Sequence, residues 1–162
     1  MAKDDRVLAA YRREIDPAEY TRIRDRYKEH SMAEDARDLP GLLGTLTPDC
    51  MYEMPQSHLT WAGHEGAARF YGELLGAFPD IVFDLRNIVI GPQGVWEEAD
   101  VDATWQQSWQ GRPASGERVG FVVQIFFPWE PAAGRFGGER IYLDDSAVLA
   151  PGAPSSATVR PA

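Results

Sequence analysis

The chain has 162 residues, 44% hydrophobic and 11% aromatic, a composition typical of one folded domain rather than a disordered chain. Its formal net charge of −9 leaves no basic face for phosphate, which argues against nucleic acid or an anionic membrane as partner. The single cysteine, Cys50, excludes an intrachain disulfide. No apolar run approaches ~18 residues and no signal peptide is evident, so we expect a cytoplasmic protein.

Helical patterns dominate the N-terminal part of the sequence. Apolar residues at helical spacing predict a helical extension over about residues 1–16. The stretch DPAEYTRIRDRYKEH then predicts a longer helix, because Asp16 suits the N-cap, Pro17 suits the first helical position and Glu19 completes a capping box.

The inner face of this helix is predicted from its apolar stripe, which consists of Tyr20, Ile23 and Tyr27. His30 comes at the end of the predicted helix and is expected to be in contact with water. A second short helix is predicted in AEDARDLPGLLGTL, followed by a break near Pro40 and Gly41.

The middle of the chain contains a short strand, a loop and the clearest helix. DCMYEM predicts a strand that contains Tyr52 and Met54, and Pro55 closes it. The loop PQSHLTW follows, and we expect it to cover the mouth of a pocket with His58 and Trp61. In GHEGAARFYGELLGAF, apolar residues recur at i, i+3, i+4 and i+7, which predicts a helix with Phe70 on its apolar face.

From residue 81 the apolar pattern changes to a period of two, which predicts strands. These strands lie in the segments IVFDLRNIVI, VWEEADVDATWQQSWQ, ERVGFVVQIFFPW and ERIYLDD. Helices followed by an antiparallel meander predict an α+β fold, in which a cone-shaped curved sheet packs on the N-terminal helices. We expect a single domain over residues 1–150 and a disordered tail over residues 151–162, which are rich in Pro, Ala and Ser.

Four segments in order resemble the SnoaL-like polyketide cyclases of the nuclear transport factor 2-like superfamily: DCMYEMP, WAGHEGAARFYGELLGAFPD, GRPASGERV and ERIYLDDSAVL. The resemblance implies a cone-shaped α+β barrel, often a homodimer, with a pocket at its open end. It also implies intramolecular aldol ring closure without a metal or an organic cofactor. The family's general acid–base aspartate, near the end of the last strand, corresponds to Asp144 in IYLDDSAVL.

Asp144 is therefore the first candidate for a catalytic residue, and His58 is the second. If Asp144 faces inward, Arg140 and Tyr142 share its face, because alternate residues of a strand point to the same side. An apolar pocket favours the protonated form of a carboxyl group, which suits it to carry a proton. Glu53, Asp84 and Asp102 are equal candidates for a second inward acid.

The predicted substrate-binding residues come from several elements: Tyr52, Met54, Trp61, Phe70, Trp105, Gln124 and Tyr142. Gln124 stands in the apolar strand VGFVVQIFF, where its amide either satisfies a buried partner or contacts a ligand. Trp105 suits either a pocket wall or a dimer interface. No His, Cys or carboxylate cluster has metal-ligand spacing, so we predict no metal site.

These observations predict a cofactor-independent enzyme of secondary metabolism. It would act on a polyketide-like or polycyclic small molecule by aldol-type cyclisation, isomerisation or dehydration in an apolar pocket, as a homodimer. Two alternatives stay open. An epoxide hydrolase needs at least two inward carboxyl groups near each other, and a non-catalytic binding module would lack an ionisable group in its pocket.

Overall fold

The computed structural model describes residues 3–143 of the chain. Three helices come first, α1 (Lys3–Arg12), α2 (Pro17–Asp35) and α3 (Leu39–Gly44). They are followed by β1 (Leu46–Met54), a 3₁₀ turn (Pro55–Ser57), β2 (Leu59–Ala62) and α4 (Gly63–Ala77). The remaining elements are β3 (Val82–Gly91), β4 (Gly94–Thr104), β5 (Arg118–Glu130) and β6 (Arg135–Leu143). The predicted tail, residues 151–162, lies outside the described residues.

The caps of α2 and α3 explain where the helices begin. The Asp16 carboxyl accepts a hydrogen bond from the Glu19 backbone N–H at 2.7 Å, which confirms the predicted N-cap. The predicted break near Pro40 is wrong in its position. Pro40 lies in the first turn of α3, where a proline's missing N–H costs no hydrogen bond, and Asp38 caps this turn by accepting from the Gly41 N–H at 3.1 Å.

A single six-stranded sheet has the order β2-β1-β6-β5-β4-β3. The predicted α+β class is confirmed, and so is the antiparallel meander of β3, β4, β5 and β6. Strand β1 differs from that expectation, because it pairs in parallel with β6, a strand that lies far from it in the sequence. Strand β2 was predicted as part of a loop, since its four residues are too few to show a period.

Helices α2 and α4 pack on the inner face of the sheet. Tyr27 of α2 meets Phe127 of β5 edge to face, with ring centroids 5.5 Å apart. The rings of Phe70 on α4 and Tyr52 on β1 are 5.2 Å apart. Strand β4 ends earlier than predicted, at Thr104, because the chain leaves the sheet there and the Gln106 N–H bonds to the end of α4 at Ala77 O.

A β-bulge in β6 decides which of its side chains face inward. Phe136 is buried, but the next buried side chains are Glu139 and Ile141, so the alternation shifts by one residue. The pairing of β6 with β5 shifts at the same place. Gly138 adopts a φ of +117°, and a Cβ there would overlap the carbonyl group of Met51. Glycine is therefore needed at this position, and Glu139 rather than Arg140 faces the interior.

We expect Gly138→Ala to lower the free energy of unfolding by at least about 2 kcal/mol, because alanine is strained at this φ and meets the β1 backbone. Gly137→Ala is the matched control. Its added Cβ would lie 3.6 Å from the nearest atoms, the side chains of Glu130 and Pro128, so we expect a change below about 1 kcal/mol. Urea unfolding measures both values, and equal losses would contradict the role of the bulge.

Candidate active site

An apolar cavity lies between the sheet and the helices. Its empty volume is about 550 Å³ when the part open to solvent is included. Most of the lining side chains are aliphatic or aromatic. Two carboxyl groups interrupt this apolar lining, those of Glu34 at the end of α2 and Glu139 on β6.

The Glu139 carboxyl is buried and receives hydrogen bonds from separate elements. Its side chain is 3% exposed. Its Oε1 accepts from the Tyr52 hydroxyl at 2.7 Å and from the Tyr71 hydroxyl at 2.9 Å, and it lies 3.0 Å from Nε2 of His30. These partners come from β1, α4 and α2. Since a buried carboxyl group without donors would be strongly destabilising, they hold Glu139 in place at the cavity.

The hydrogen bonds of His30 define its tautomer. The Thr45 hydroxyl donates to the Leu42 carbonyl at 2.6 Å, so its oxygen accepts the hydrogen on Nδ1 of His30, also at 2.6 Å. The other ring nitrogen, Nε2, faces Oε1 of Glu139, and a single proton lies in the hydrogen bond between these two atoms. The prediction that His30 is in contact with water is wrong, because its side chain is fully buried.

Tyr71 connects the two carboxyl groups of the cavity. Its hydroxyl oxygen lies 3.2 Å from Oε1 of Glu34 as well as 2.9 Å from Oε1 of Glu139. Burial raises the pKa of Glu34 well above its usual value, and the charges of Glu139 and Glu97 add to this. The raised pKa favours the protonated form of Glu34, in which its O–H donates to the Tyr71 oxygen while the single hydroxyl hydrogen of Tyr71 goes to Glu139.

Both tyrosines of the site are neutral hydrogen-bond donors. Burial, followed by the charge of Glu139, raises the pKa of Tyr52 and the pKa of Tyr71 well above the usual value. We call His30, Glu34, Tyr52, Tyr71 and Glu139 the Glu139 cluster. The cluster combines a protonated acid, two neutral hydroxyl groups and a carboxyl that accepts, all beside an apolar cavity.

Helix α2 contributes its part of the site through one continuous face. Ile23, Tyr27, His30 and Glu34 follow one another at spacings of three and four residues, which places them on the same side. The Tyr27 hydroxyl donates to Oε2 of Glu97, a buried residue of β4. Burial raises the pKa of Glu97 to about 7, although the bond from Tyr27 lowers it.

Five of the predicted binding residues lie in the interior. Met54 and Phe70 line the cavity, and Tyr52 belongs to the Glu139 cluster. Trp61 and Trp105 lie behind this lining. The ring of Trp61 packs on Phe70 with centroids 5.1 Å apart, and Trp105 packs on Phe78 with centroids 6.2 Å apart. Because Trp105 is 4% exposed, it forms part of the core.

Gln124 and Tyr142 lie on the opposite face of the sheet from the cavity, so neither lines it. The Gln124 amide donates to Oε2 of Glu98 at 3.2 Å, which is the first of its two predicted alternatives, and the Tyr142 ring stacks on exposed Trp96. Arg140 also faces outward and donates to Glu53. In β6 the bulge at Gly138 brings the odd-numbered residues Glu139, Ile141 and Leu143 to the cavity, and Arg140 and Tyr142 therefore point away from it.

The two predicted catalytic residues stay predictions. Asp144 lies outside the described residues. His58 is exposed and follows the 3₁₀ turn with a φ of 56°. Its loop does reach the site, since the Gln56 amide donates to the carbonyl of Leu143, a cavity residue, at 2.8 Å.

The inward acids differ from the three that were weighed in the sequence. Glu53 pairs with Arg140, Asp102 pairs with Arg118, and Asp84 is exposed. Sequence reasoning missed Glu34 and Glu139. Continuing the α2 stripe by helical spacing beyond Tyr27 would have found His30 and Glu34, whereas Glu139 gave no such signal because its orientation depends on the bulge.

Within residues 3–143, no helix has the length and apolar character to cross a membrane. In the same range, no three His, Cys, Asp or Glu side chains are placed to hold a metal ion.

The SnoaL-like domain family matches residues 25–135 of the chain. No curated protein matches the sequence. The family match covers α2 from its first half through the start of β6, and thus includes most of the elements that build the cavity.

Solved structures share the fold at low sequence identity. A protein from Jannaschia sp. CCS1, described as a candidate SnoaL-like polyketide cyclase, has a TM-score of 0.70 and 20% identity, covering 89% of this chain and 98% of its own. IdmH from Streptomyces antibioticus, described as a candidate polyketide cyclase, has a TM-score of 0.65 and 18% identity, covering 79% of this chain and 96% of its own. A Burkholderia pseudomallei protein, described as nuclear transport factor 2-like and of unknown function, has a TM-score of 0.63 and 17% identity, covering 80% of this chain and 98% of its own. The predicted fold is confirmed, and a shared fold does not by itself choose a reaction.

The raised pKa of Glu97 predicts a pH-dependent stability. Between the usual carboxyl pKa of 4.5 and about 7, the folded state binds more protons than the unfolded state. The free energy of unfolding should therefore fall as the pH rises through this range, by up to about 1.4 kcal/mol per pH unit from this residue. Denaturant unfolding at several pH values measures the slope.

The substitution Glu97→Gln should make this slope smaller, because the amide does not titrate. Glu98→Gln is the matched control, since Glu98 is the next residue of β4 and bonds to Asn87 and Gln124 on the outer face. We expect the control to keep the slope of the unmodified protein. A slope that Glu97→Gln leaves unchanged would contradict the assignment.

Proposed function

Since the chain belongs to the SnoaL-like domain family, we propose that it is a cofactor-independent enzyme that performs acid–base chemistry on a polyketide-like or polycyclic small molecule. One observation carries this proposal. Two carboxyl groups, those of Glu34 and Glu139, contact the same Tyr71 hydroxyl beside an otherwise apolar cavity. The descriptions of IdmH and the Jannaschia protein as candidate polyketide cyclases support the substrate class.

In the proposed reaction, the two carboxyl groups have opposite roles. Glu139 removes a proton from a carbon next to a substrate carbonyl group, and the electron pair moves to the carbonyl oxygen. Protonated Glu34 donates a hydrogen bond to that oxygen as its negative charge develops. The enolate carbon then closes a ring on a second carbonyl group, is reprotonated at another carbon, or expels a leaving group. The new alkoxide, the second carbon or the leaving group takes the proton of Glu34, which gives cyclisation, isomerisation or dehydration, respectively.

Tyr71 restores the starting protonation state. After the step, Glu139 carries the proton taken from carbon and Glu34 has lost its own. The Tyr71 hydroxyl contacts both carboxyl groups, so it can accept a proton from one and pass its own proton to the other. Glu139 is then ionised and Glu34 protonated again, so the site can begin another turnover with its net charge unchanged.

A generic proton-abstraction probe tests this function without knowledge of the natural substrate. 5-Nitrobenzisoxazole opens to a coloured phenolate when a base removes its single ring C–H proton, and this reaction responds to a carboxylate in an apolar pocket. We expect Glu139→Gln to lower the rate at least about tenfold, because the base is lost. Absorbance of the phenolate measures the rate.

Glu29→Gln is the matched control, because Glu29 lies on the exposed side of α2 and pairs with Arg26. It should keep the rate of the unmodified protein. Unfolding measurements on each variant separate a loss of chemistry from a loss of fold. Asp144→Asn and His58→Ala are measured in the same assay. A loss of rate in either of them, with none in Glu139→Gln, would assign the base to Asp144 or His58 and contradict our assignment.

The same pair of acids favours a second candidate function, epoxide hydrolysis. This reaction needs two inward carboxyl groups near each other, and Glu34 and Glu139 meet this condition through Tyr71. Glu139 would take a proton from water, the water oxygen would bond to one epoxide carbon, and the breaking C–O bond would receive the proton of Glu34. The product is a diol that contains the oxygen of water.

Styrene oxide in ¹⁸O-labelled water tests this candidate. We expect the diol to contain one labelled oxygen by mass spectrometry, and we expect Glu34→Gln to lower its rate at least about tenfold, since the proton donor is lost. Glu29→Gln again serves as the control. If diol forms no faster than in buffer, epoxide hydrolysis of this probe is excluded.

A further inference from the structure

The charged side chains that line the cavity are acidic. Among the side chains that the structure places around the cavity, Glu34 and Glu139 are acidic and none belongs to Lys or Arg. A third carboxyl, that of Glu97, lies close enough for its charge to act on Glu34. Carboxyl groups gathered in an apolar interior repel one another unless a cation or a proton compensates them.

The protein supplies little compensation from its own side chains. His30 contacts Oε1 of Glu139 and can carry one positive charge, shared with Thr45 on its other nitrogen. Arg37 lines a neighbouring cleft, but its guanidinium donates to the Ile81 carbonyl at 2.6 Å. Tyr27, Tyr52 and Tyr71 are neutral. The imidazole of His30 is therefore the one group described here that can offset the negative charge of the three carboxyl groups. Glu34 has no cationic partner among the described residues.

Two features favour a ligand as the missing cation. Among the described residues, the side-chain hydrogen bonds to Glu139 fall on Oε1, which leaves Oε2 of this nine-tenths buried residue for a contact in the cavity. Aromatic rings also line the cavity, namely Phe70, Phe78, Phe83, Trp109 and Phe121. The faces of such rings attract organic cations.

We propose that the cavity prefers apolar molecules that carry a protonated nitrogen, which binds between Glu34 and Glu139 while the apolar part contacts the aromatic lining. This inference rests on the proposed function in one respect, that the cavity is a ligand site. Because the ammonium group takes the place of the Glu34 proton, such a ligand occupies the site without undergoing the proposed reaction. The inference excludes carboxylates as ligands, since their charge would meet two carboxyl groups and no lysine or arginine in the cavity lining.

Binding of such a cation should release a proton. Burial and the charges of Glu139 and Glu97 raise the pKa of Glu34, which favours its protonated form in the empty cavity. A bound ammonium group favours the ionised carboxylate, and Glu34 gives up its proton to solvent. A neutral ligand has no such effect, so proton release distinguishes the two modes of binding.

Three ligands of one shape test the preference: 2-(1-naphthyl)ethylamine, 2-(1-naphthyl)ethanol and 1-naphthylacetate. Isothermal titration calorimetry at neutral pH, in two buffers of different ionisation enthalpy, gives the affinity and the number of protons released. We expect the amine to bind at least about tenfold more tightly than the alcohol, because its hydrogen bonds are charge-assisted, and the carboxylate to bind most weakly. Only the amine should release a proton.

Glu34→Gln should remove proton release and most of the preference for the amine while keeping the affinity for the alcohol. Glu29→Gln, on the exposed side of the same helix, should behave as the unmodified protein. The proposal is overturned if the alcohol binds as tightly as the amine, or if the preference survives in Glu34→Gln. The proposal is also overturned if none of the three ligands binds, whereas the proposed function is still decided by the proton-abstraction assay.

Discussion

A carboxyl group that is taken out of water must be given hydrogen-bond donors, and Glu139 imposes this requirement on the rest of the molecule. Its donors are Tyr52 and Tyr71, and His30 shares a proton with it. These residues lie on β1, α4 and α2, so one buried side chain on β6 fixes how the helices and the first strand sit on the sheet. The cavity borders this point of contact. The same hydrogen-bonded groups therefore hold the elements together and are available for chemistry on a ligand.

Much of the fold could be predicted from local patterns in the sequence. The Asp16 cap and the stripe of Ile23 and Tyr27 defined α2, and the apolar period defined α4 and the meander. Each of these signals is complete within a few residues. The parallel pairing of β1 with β6 could not be predicted in this way, because it depends on where two distant segments meet in the folded chain.

The candidate site was less predictable, for two physical reasons. The bulge at Gly138 shifts the alternation in β6, so the sequence pattern alone did not show that Glu139 faces inward and that Arg140 and Tyr142 face outward. The inner face of α2 changes from apolar to polar after Tyr27, so a search for apolar periodicity stopped before His30 and Glu34. Tyr52, Met54 and Phe70 were predicted correctly as interior residues because their elements have regular patterns.

The hydrogen bonds to Glu139 also have a consequence for how the chain folds. They join residues that are 68, 87 and 109 positions apart in the sequence. Contacts of such long range require large loops to close first, so they form late and slow the folding of a domain. While the chain is being synthesised, Tyr52, Tyr71 and His30 emerge well before Glu139. We therefore expect the polar groups of the future cavity to stay hydrated until β6 inserts between β1 and β5.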